Sequence, residues 1–362
     1  MVAAKLRVGI IGAGTSGVYL AGLLIRQGFQ VDVFERSPYP RTEGCGILLV
    51  SSGIKALHQG NSQLCQTIID SGVTVKSFEF RNLRDQVVSF ESVSYEDNEL
   101  PGILIHRGAI LKALLEELPP DYLHLGTQFK SASQSDTTVT AHFADGSQWE
   151  GDLLIGADGI SSKVREFVVP GVQLNYLGDL VWRGIVSDHT FCPDGSFVVY
   201  VRGRGIYANF FDIGDGYTHW GFFLEIAQQI GEIGGLQPHK TAIPRKELAK
   251  LPDKPRSIIE ATPEEQIISR FSYDIDPLPR LYSGQILLIG DAAHAKSPTR
   301  ARGMTAGFED AFALSQHLAS TTRVENALAS FQAERLPIVH EYQRTSRDVS
   351  MKIGRLRKKA SV

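Results

Sequence analysis

The sequence has little cysteine and lacks a long apolar run. Its 362 residues include three cysteines. These residues, Cys45, Cys65 and Cys192, are too few and too widely spaced for a disulfide framework or a cysteine metal site. We therefore expect no metal and a reducing, cytoplasmic compartment. Glycines interrupt the apolar N-terminal stretch and Arg26 closes its helix, so we expect neither a membrane span nor a signal peptide.

The sequence also lacks a large excess of positive or negative charge. The 37 lysines and arginines are mixed with 40 aspartates and glutamates, and the formal net charge is −3, so we expect no nucleic-acid surface. The basic C-terminal stretch MKIGRLRKKASV predicts a solvated tail, with a contact to a membrane surface or a partner as the alternative. The chain is longer than one compact core usually requires, so we expect two joined domains.

The clearest positive signal lies near the N-terminus. An apolar run over 6–11 predicts a buried strand. Gly12, Gly14 and Gly17 follow, then a helical pattern, and then a second strand that ends on Glu35. In this order the first glycine permits a tight turn, the second lets a pyrophosphate approach the backbone, and the third lets the helix pack on the strand. Glu35 is placed to accept hydrogen bonds from an adenosine ribose. The pattern predicts a dinucleotide site.

Two later segments have the same order of buried strand, loop and helix. The first is the strand DLLIGADG with a helix from about Ser161, and the second is the strand QILLIGD with a helix from Gly303 to His317. The other predicted elements are a helix over 54–71, strands over 73–95, a helix over 106–118, a hairpin over 137–150, an antiparallel sheet over 180–226, at most one helix in 227–265, and C-terminal helices in which Pro337 marks a start or a kink.

Three motifs, GAGTSG, GADGISSKVR and GDAAHAKSPTRARGM, therefore occur in one order. With them the chain resembles the single-component FAD-dependent monooxygenases of the para-hydroxybenzoate hydroxylase type. The resemblance implies an α/β fold, with a Rossmann-like FAD-binding domain, an inserted antiparallel β-sheet substrate domain and C-terminal helices. The implied boundaries are 1–75, 100–175 and 270–325 for the FAD-binding domain, 76–99 and 176–269 for the substrate domain, and 326–362 for the C-terminal helical segment with its basic tail.

The same resemblance implies two cofactors, FAD and NAD(P)H. In the family, a segment like the one from Asp158 to Arg165 serves both, and an aspartate like Asp291 binds the ribityl chain. Alternatives for single residues are a helix cap for Asp158, a surface ion pair for Arg165 and a helix start beside Arg107. The implied cofactor-binding residues are Gly12, Gly14, Gly17, Glu35, Arg36, Arg41, Gly46, Arg107, Asp158, Asp291, Pro298, Gly303 and Met304.

The chain departs from the family after Pro298. Thr305 replaces an asparagine, and Arg300 stands where a small or apolar residue is common. We expect Arg302 to point inward and Arg300 to be the more exposed of the two. Because the flavin would carry the chemistry, no catalytic residue is assigned, and the weak candidates are Arg302, Arg204 and Tyr200.

The substrate is expected between the flavin and the 180–226 sheet. The alternation of side chains along these strands predicts that one face of the sheet contacts the substrate. The residues expected on this face are Tyr200, Arg202, Arg204, Asn209 and Phe211, with Trp220 and Phe222 on the next strand.

Other candidates are weighed singly. His294 is interpreted as a residue packed beside the cofactor, with a general base as the alternative. Cys45 is interpreted as a small residue between two glycines, with a covalent flavin link as the alternative. His106 and His219 remain unassigned.

In such enzymes NAD(P)H reduces FAD, O2 adds to give a flavin 4a-hydroperoxide, and one oxygen atom passes to a small aromatic or otherwise electron-rich substrate. The alternatives are an FAD-binding accessory protein without turnover and a flavin-dependent epoxidase or halogenase. A halogenase would need a WxWxIP segment, and the nearest stretch is VWRGIV. A flavin-free NAD dehydrogenase would not need the second and third motifs.

Overall fold

The structure is a computed structural model that describes residues 6–97, 99–188, 190–203, 205–226 and 241–350. The strands in chain order are β1 (Arg7–Ile11), β2 (Gln30–Glu35), β3 (Gly46–Leu49), β4 (Val73–Thr74), β5 (Ser77–Asn82), β6 (Val87–Ser92), β7 (Ile103–His106), β8 (Leu123–Leu125), β9 (Phe129–Gln134), β10 (Val139–Phe143), β11 (Gln148–Gly151), β12 (Leu153–Gly156), β13 (Leu174–Val186), β14 (Ser196–Arg202), β15 (Gly205–Asp212), β16 (Thr218–Glu225), β17 (Ile268–Ile275), β18 (Tyr282–Ser283) and β19 (Ile286–Leu288). The α-helices are α1 (Thr15–Arg26), α2 (Ser51–Gly60), α3 (Ser62–Asp70), α4 (Arg107–Glu116), α5 (Arg165–Val168), α6 (Arg245–Leu248), α7 (Asp253–Glu260), α8 (Asp291–His294), α9 (Arg302–Ser320) and α10 (Val324–Ser350).

One sheet carries the three motifs. Its strand order is β18-β19-β12-β1-β2-β8, and the strands run parallel from β19 to β8. The central strands β12 and β19 are buried along their whole length, as expected for strands covered on both faces. Because parallel strands end at the same edge, the loops after β1, β12 and β19 meet there. Helix α1 packs on α9, with Tyr19 edge-on to Phe308. The expected Rossmann-like fold is confirmed.

A second sheet has the order β17-β13-β16-β15-β14-β5-β6 and is antiparallel except where β5 meets β14. Strand register defines its two faces. The outer face, which packs on α6 and α7, carries Leu180, Trp182, Tyr200, Phe210, Trp220 and Phe222. The inner face carries Val181, Arg183, Asn209, His219, Gly221, Phe223 and Arg270. The inner face turns toward a small sheet of β3, β7 and β4.

Two predicted helices differ from the structure. The helix predicted over 54–71 is divided into α2 and α3 at Asn61, which has an extended backbone and accepts a hydrogen bond from Leu64 N as an N-cap. The helix expected from Ser161 is only the short α5: the Asp158 carboxylate accepts from the N–H groups of Lys163 and Val164 in the turn before it, and Val169 after it has an extended backbone.

The C-terminal helix α10 reaches back to the third motif. It continues through Pro337. Gln343 Nε2 donates to Ala295 O at 3.3 Å, and Thr299 Oγ1 donates to Ser346 O at 3.0 Å. Helix α10 thereby fixes the loop that follows α8. In the described ranges, no helix combines the length and apolar character that a membrane crossing requires.

The inner face is joined to the small sheet at one close contact. Gly46 N donates to His219 Nδ1 at 3.1 Å, and a Cβ on Gly46 would lie 2.5 Å from His219 Cβ. Burial, together with the nearby Arg183 and His106, lowers the pKa of His219 to about 3. His219 is therefore neutral and accepts the hydrogen bond.

This contact predicts a stability that depends on pH. Between pH 6.5 and 3, the unfolded chain protonates His219 and the folded chain does not. The free energy of unfolding should therefore fall with falling pH, by at most about 1.4 kcal/mol per pH unit from this group. In His219→Gln, chemical denaturation across this range should show a shallower fall. His58→Gln, at an exposed position, is the control, and equal slopes in all three proteins would contradict the assignment.

Candidate active site

The turn after β1 is closed to side chains and open to a ligand. Gly12 has φ +109°, and a Cβ there would lie 2.5 Å from Ala157 O. A Cβ on Gly17 would lie 2.2 Å from Gly12 O, whereas one on Gly14 would meet no heavy atom within 4 Å. Gly14 precedes α1 without a side-chain cap. The first N–H groups of α1 therefore face free space, which fits a pyrophosphate.

The acid at the end of β2 is tied to this turn. Glu35 Oε2 accepts from Ala13 N at 3.1 Å, and its Oε1 accepts from Ser37 N at 2.9 Å. Arg41 Nη2 lies 4.0 Å from Oε1, and both Arg41 and Arg36 are exposed. The carboxylate therefore stands beside the glycine turn, with the exposed Arg41 as a neighbouring cation.

The second motif contacts the third through a buried arginine. Arg165 Nη1 donates to Ala292 O at 3.0 Å and Nη2 donates to Ile160 O at 2.6 Å. Arg165 is 4% exposed, so the surface ion pair is wrong. Asp158 Oδ2 accepts from Lys163 N at 2.7 Å in the turn before α5, whose N-cap is Val164 and which has no side-chain cap, so Asp158 is not the helix cap of the alternative. Burial raises the pKa of this carboxyl, and hydrogen bonds from Ser162 and the backbone offset part of the effect.

The third motif brings an exposed carboxylate to a helix start. Asp291 begins α8 and is exposed, and a Cβ on Gly303 would lie 3.8 Å from Asp291 Oδ1. Ala301 has a left-handed backbone and leaves α9 without a side-chain cap. Pro298 opens a short 3-10 turn just before it, and Met304 packs on the core. An acceptor for a polyol thus stands next to the positive end of a long helix.

The loop arginines differ as expected. Arg300 is exposed, whereas Arg302 is half-buried. Arg302 Nη1 donates to Ser52 Oγ at 3.3 Å, and its guanidinium lies 5.0 Å from the Tyr342 ring centre. Thr305 is fully buried, and a Cβ on Gly53 would lie 3.0 Å from its Oγ1. The threonine that departs from the family therefore lies where α2 packs closely on α9.

Several residues that the sequence placed on the substrate face of the large sheet lie instead on its outer face. Tyr200 is on the outer face, where its hydroxyl donates to Asp85 Oδ1 at 2.8 Å. Arg202 donates to Glu247 Oε2 at 3.0 Å, against α6. Trp220 and Phe222 also lie on the outer face. Tyr200 pairs with Ala208, and Asn209 pairs with Val199, so Tyr200 and Asn209 lie on opposite faces of the sheet. Arg204 lies outside the described residues.

The inner face carries cations that sequence reasoning missed. Arg183 and Asn209 both pair with Gly221, so they share this face, and Arg270 joins them opposite Val181. Among the described residues, neither guanidinium makes a salt bridge with a carboxylate. Burial lowers the pKa of Arg270, and Arg183, Arg107 and Arg41 lower it further. The sequence did contain a signal for these cations, since each of two apolar strands, LVWRGIV and ISRFSY, has an arginine inside it.

Asn209 completes the polar part of this face. Its Oδ1 is buried and accepts no hydrogen bond within the described ranges, and a Cβ on Gly221 would lie 2.4 Å from it. Val181, Ile206 and Phe223 form an apolar cluster beside it. The inner face therefore offers two cations, one carboxamide and an apolar surface on the side of the sheet that turns toward β3 and β7.

The comparisons with known proteins agree with this geometry. The model of the family described as FAD binding domain matches residues 5–186 and 245–346. Aurachin C monooxygenase/isomerase of Stigmatella aurantiaca is 29% identical over 347 residues, which span 93% of this chain and 87% of the relative. The 3-amino-4-hydroxybenzoate 2-monooxygenase of Streptomyces cremeus is 28% identical over 355 residues, which span 96% and 87%.

Solved structures share the fold. Klebsiella pneumoniae HpxO, complexed with FAD and uric acid, has a TM-score of 0.85 at 23% identity and covers 95% of this chain and 88% of its own. The family match extends over most of the chain, and its three motifs converge at one sheet edge. The chain therefore belongs to the FAD-binding-domain family and is an FAD-dependent oxidoreductase of the single-component monooxygenase type.

Proposed function

We propose that this protein uses NAD(P)H and O2 to insert one oxygen atom into a small aromatic substrate. The observation that carries the proposal is the inner face, where Arg183 and Arg270, without a carboxylate salt bridge among the described residues, lie on the same face as an apolar cluster. Flat apolar rings suit the cluster, and guanidinium groups suit a carboxylate or phenolate on the ring. The two monooxygenases compared above, one of them named for an aminohydroxybenzoate, support the same substrate class.

FAD, when bound, supplies hydride acceptance and oxygen transfer. The chain's residues bind and orient the reactants. The N–H groups at the start of α1 would hold the pyrophosphate, Glu35 would accept from the ribose, and Asp291 would accept from the ribityl chain. The N–H groups at the start of α9 would stabilise the negative charge that the flavin gains on reduction.

Arg183 and Arg270 orient the substrate. Two guanidinium groups on one face repel each other, and an anion between them relieves that repulsion. Asn209 adds a donor and an acceptor that fix the position of the ring, and Val181, Ile206 and Phe223 exclude water from its apolar part. The sheet thus determines which ring atom faces the flavin.

Monooxygenation predicts that NAD(P)H oxidation is coupled to the transfer of oxygen to the substrate. NAD(P)H oxidation should be slow alone and faster with a suitable aromatic compound. The product should gain one oxygen atom, and isotope label from O2, not from water, should appear in it. A screen of small aromatic acids and phenols, with oxygen uptake and product mass as readouts, measures this. Oxygen derived from water would contradict the proposal, and FAD binding without stimulated turnover by any compound would favour an accessory protein.

The inner face predicts which arginines recognise substrate. Arg270→Gln or Arg183→Gln should raise KM about tenfold or more, because each removes a charge-assisted hydrogen bond worth about 1.5–3 kcal/mol. Arg202→Gln, on the outer face, is the matched control and should leave KM unchanged. Steady-state kinetics with the substrate identified above measures this. A larger effect from Arg202→Gln than from the inner pair would contradict the assignment.

The position of Arg302 predicts that its charge raises the midpoint potential of the flavin. Its guanidinium is fixed between Ser52 and Tyr342 at the start of α9. A fixed cation there stabilises anionic reduced flavin and raises the midpoint potential. Arg302→Gln should therefore shift the potential to a more negative value and slow hydride acceptance, whereas exposed Arg300→Gln should change little. Spectroelectrochemistry and anaerobic reduction rates measure both, and an unchanged potential in Arg302→Gln would disprove the charge effect.

A further inference from the structure

The outer edge of the large sheet has an unusual number of exposed apolar side chains. Strand β6 lies at this edge, and in the described part of the chain it pairs only with β5. Of the five large hydrophobic side chains exposed there, three belong to β6: Val87 at 51%, Val88 at 54% and Phe90 at 61%. Proteins usually protect such an edge with charges or proline, but β6 has no proline and one charge, Glu91. An exposed apolar edge of this kind indicates a contact with another chain.

The backbone of the edge has groups that can pair with a further strand. Val93 N donates to Lys76 O at 2.8 Å, and hydrogen-bonded pairs alternate with non-hydrogen-bonded pairs along an antiparallel ladder. Every second residue back from Val93 therefore bonds to β5, and the N–H and C=O groups of Phe90 and Ser92 point away from it. The register shift between β5 and β6 lies nearer the hairpin turn and leaves this part of the strand regular.

The two ends of the edge carry opposite charges. At the hairpin turn Arg84 is exposed, and the neighbouring Asp85 is already paired with Arg81 at 3.1 Å. Beyond the other end of β6, Glu96 and Asp97 are exposed. Among the described residues, neither Arg84 nor Glu96 forms a salt bridge. An antiparallel strand of the same sequence would bring each basic end to an acidic end, so the edge is complementary to a second copy of itself.

We propose that β6 is a dimer interface, at which two copies of this chain pair their β6 strands antiparallel across a two-fold axis. The outward-facing backbone groups of Phe90 place this residue on the axis, opposite Phe90 of the second copy. In that register Val88 lies opposite Ser92, and Arg84 is level with Glu96. The two large sheets become one continuous sheet, and the apolar side chains of the edge cover each other. A six-residue strand makes a small interface, so we expect a dissociation constant of about 1–100 µM.

Sedimentation of the full-length protein over this concentration range tests the interface. The wild type should change from monomer to dimer as its concentration rises. Phe90→Lys, which places two like charges on the axis, should remain a monomer. Tyr217→Lys alters another exposed aromatic residue, outside β6, and should dimerise like the wild type. A monomeric wild type, a dimer that persists in Phe90→Lys, or a monomeric Tyr217→Lys would overturn the proposal.

A charge exchange tests the antiparallel arrangement. Arg84→Glu should raise the dissociation constant about tenfold, because the two-fold axis repeats the altered pair. Glu96→Arg should have the same effect, and the double variant should return to the affinity of the wild type. Lys130→Glu, at an exposed position on β9, is the control for net charge and should leave the affinity unchanged. A double variant as weak as the single variants would contradict the arrangement.

An introduced cysteine tests the register. Residues opposed in a hydrogen-bonded antiparallel pair lie about 5.5 Å apart, a separation that a disulfide can bridge. Phe90→Cys should therefore give a disulfide-linked dimer under mild oxidation. Val87→Cys would lie about 20 Å from its own copy and should give none beyond that of the wild type treated in the same way. Cross-linking of Val87→Cys and not of Phe90→Cys would overturn the register.

Discussion

The arrangement depends first on a steric constraint, the lack of room between the turn after β1 and the end of β12. Backbone atoms of Gly12 and Ala157 approach so closely that no Cβ fits between them, and the same turn leaves none for Gly17. This packing sets α1 directly on the strand end and places the second motif beside the first. Any side chain at Gly12 or Gly17 would separate the two strand ends and displace the N–H groups that face the ligand.

Buried guanidinium groups then connect segments that are distant in sequence. Arg165 joins the loop after β12 to α8 through carbonyl oxygens, and Arg335 joins α10 to α9 through carboxylates. Such groups are costly to bury unless their donors are satisfied. Here the hydrogen bonds satisfy them, and their directional geometry ties the second motif to the third and α10 to α9.

Local signals determined what the sequence could predict. The order of strand, glycines, helix and acid from β1 to Glu35 is short-range, and both the fold class and the FAD cofactor followed from it and from the two later motifs. The inner face of the large sheet was harder to predict, because the pairing between strands decides which residues of neighbouring strands share a face, and alternation within one strand does not reveal it. Arg183 and Arg270 come together only through strand pairing. Asn61 shows the opposite case, since its capping side chain was visible in the sequence yet lay inside an apparently continuous helical pattern.

The reach of α10 back to the loop after α8 has a consequence for biosynthesis. The glycine turn is translated first, but it is held in place by Ala157, and the third motif is held in place by Gln343 and by the Ser346 carbonyl. A nascent chain on the ribosome therefore exposes its first motif long before its last helix emerges. The complete cofactor pocket assembles only after α10 has been translated. A fragment that stops before Gln343 would lack a firmly held third motif even though every motif residue is present.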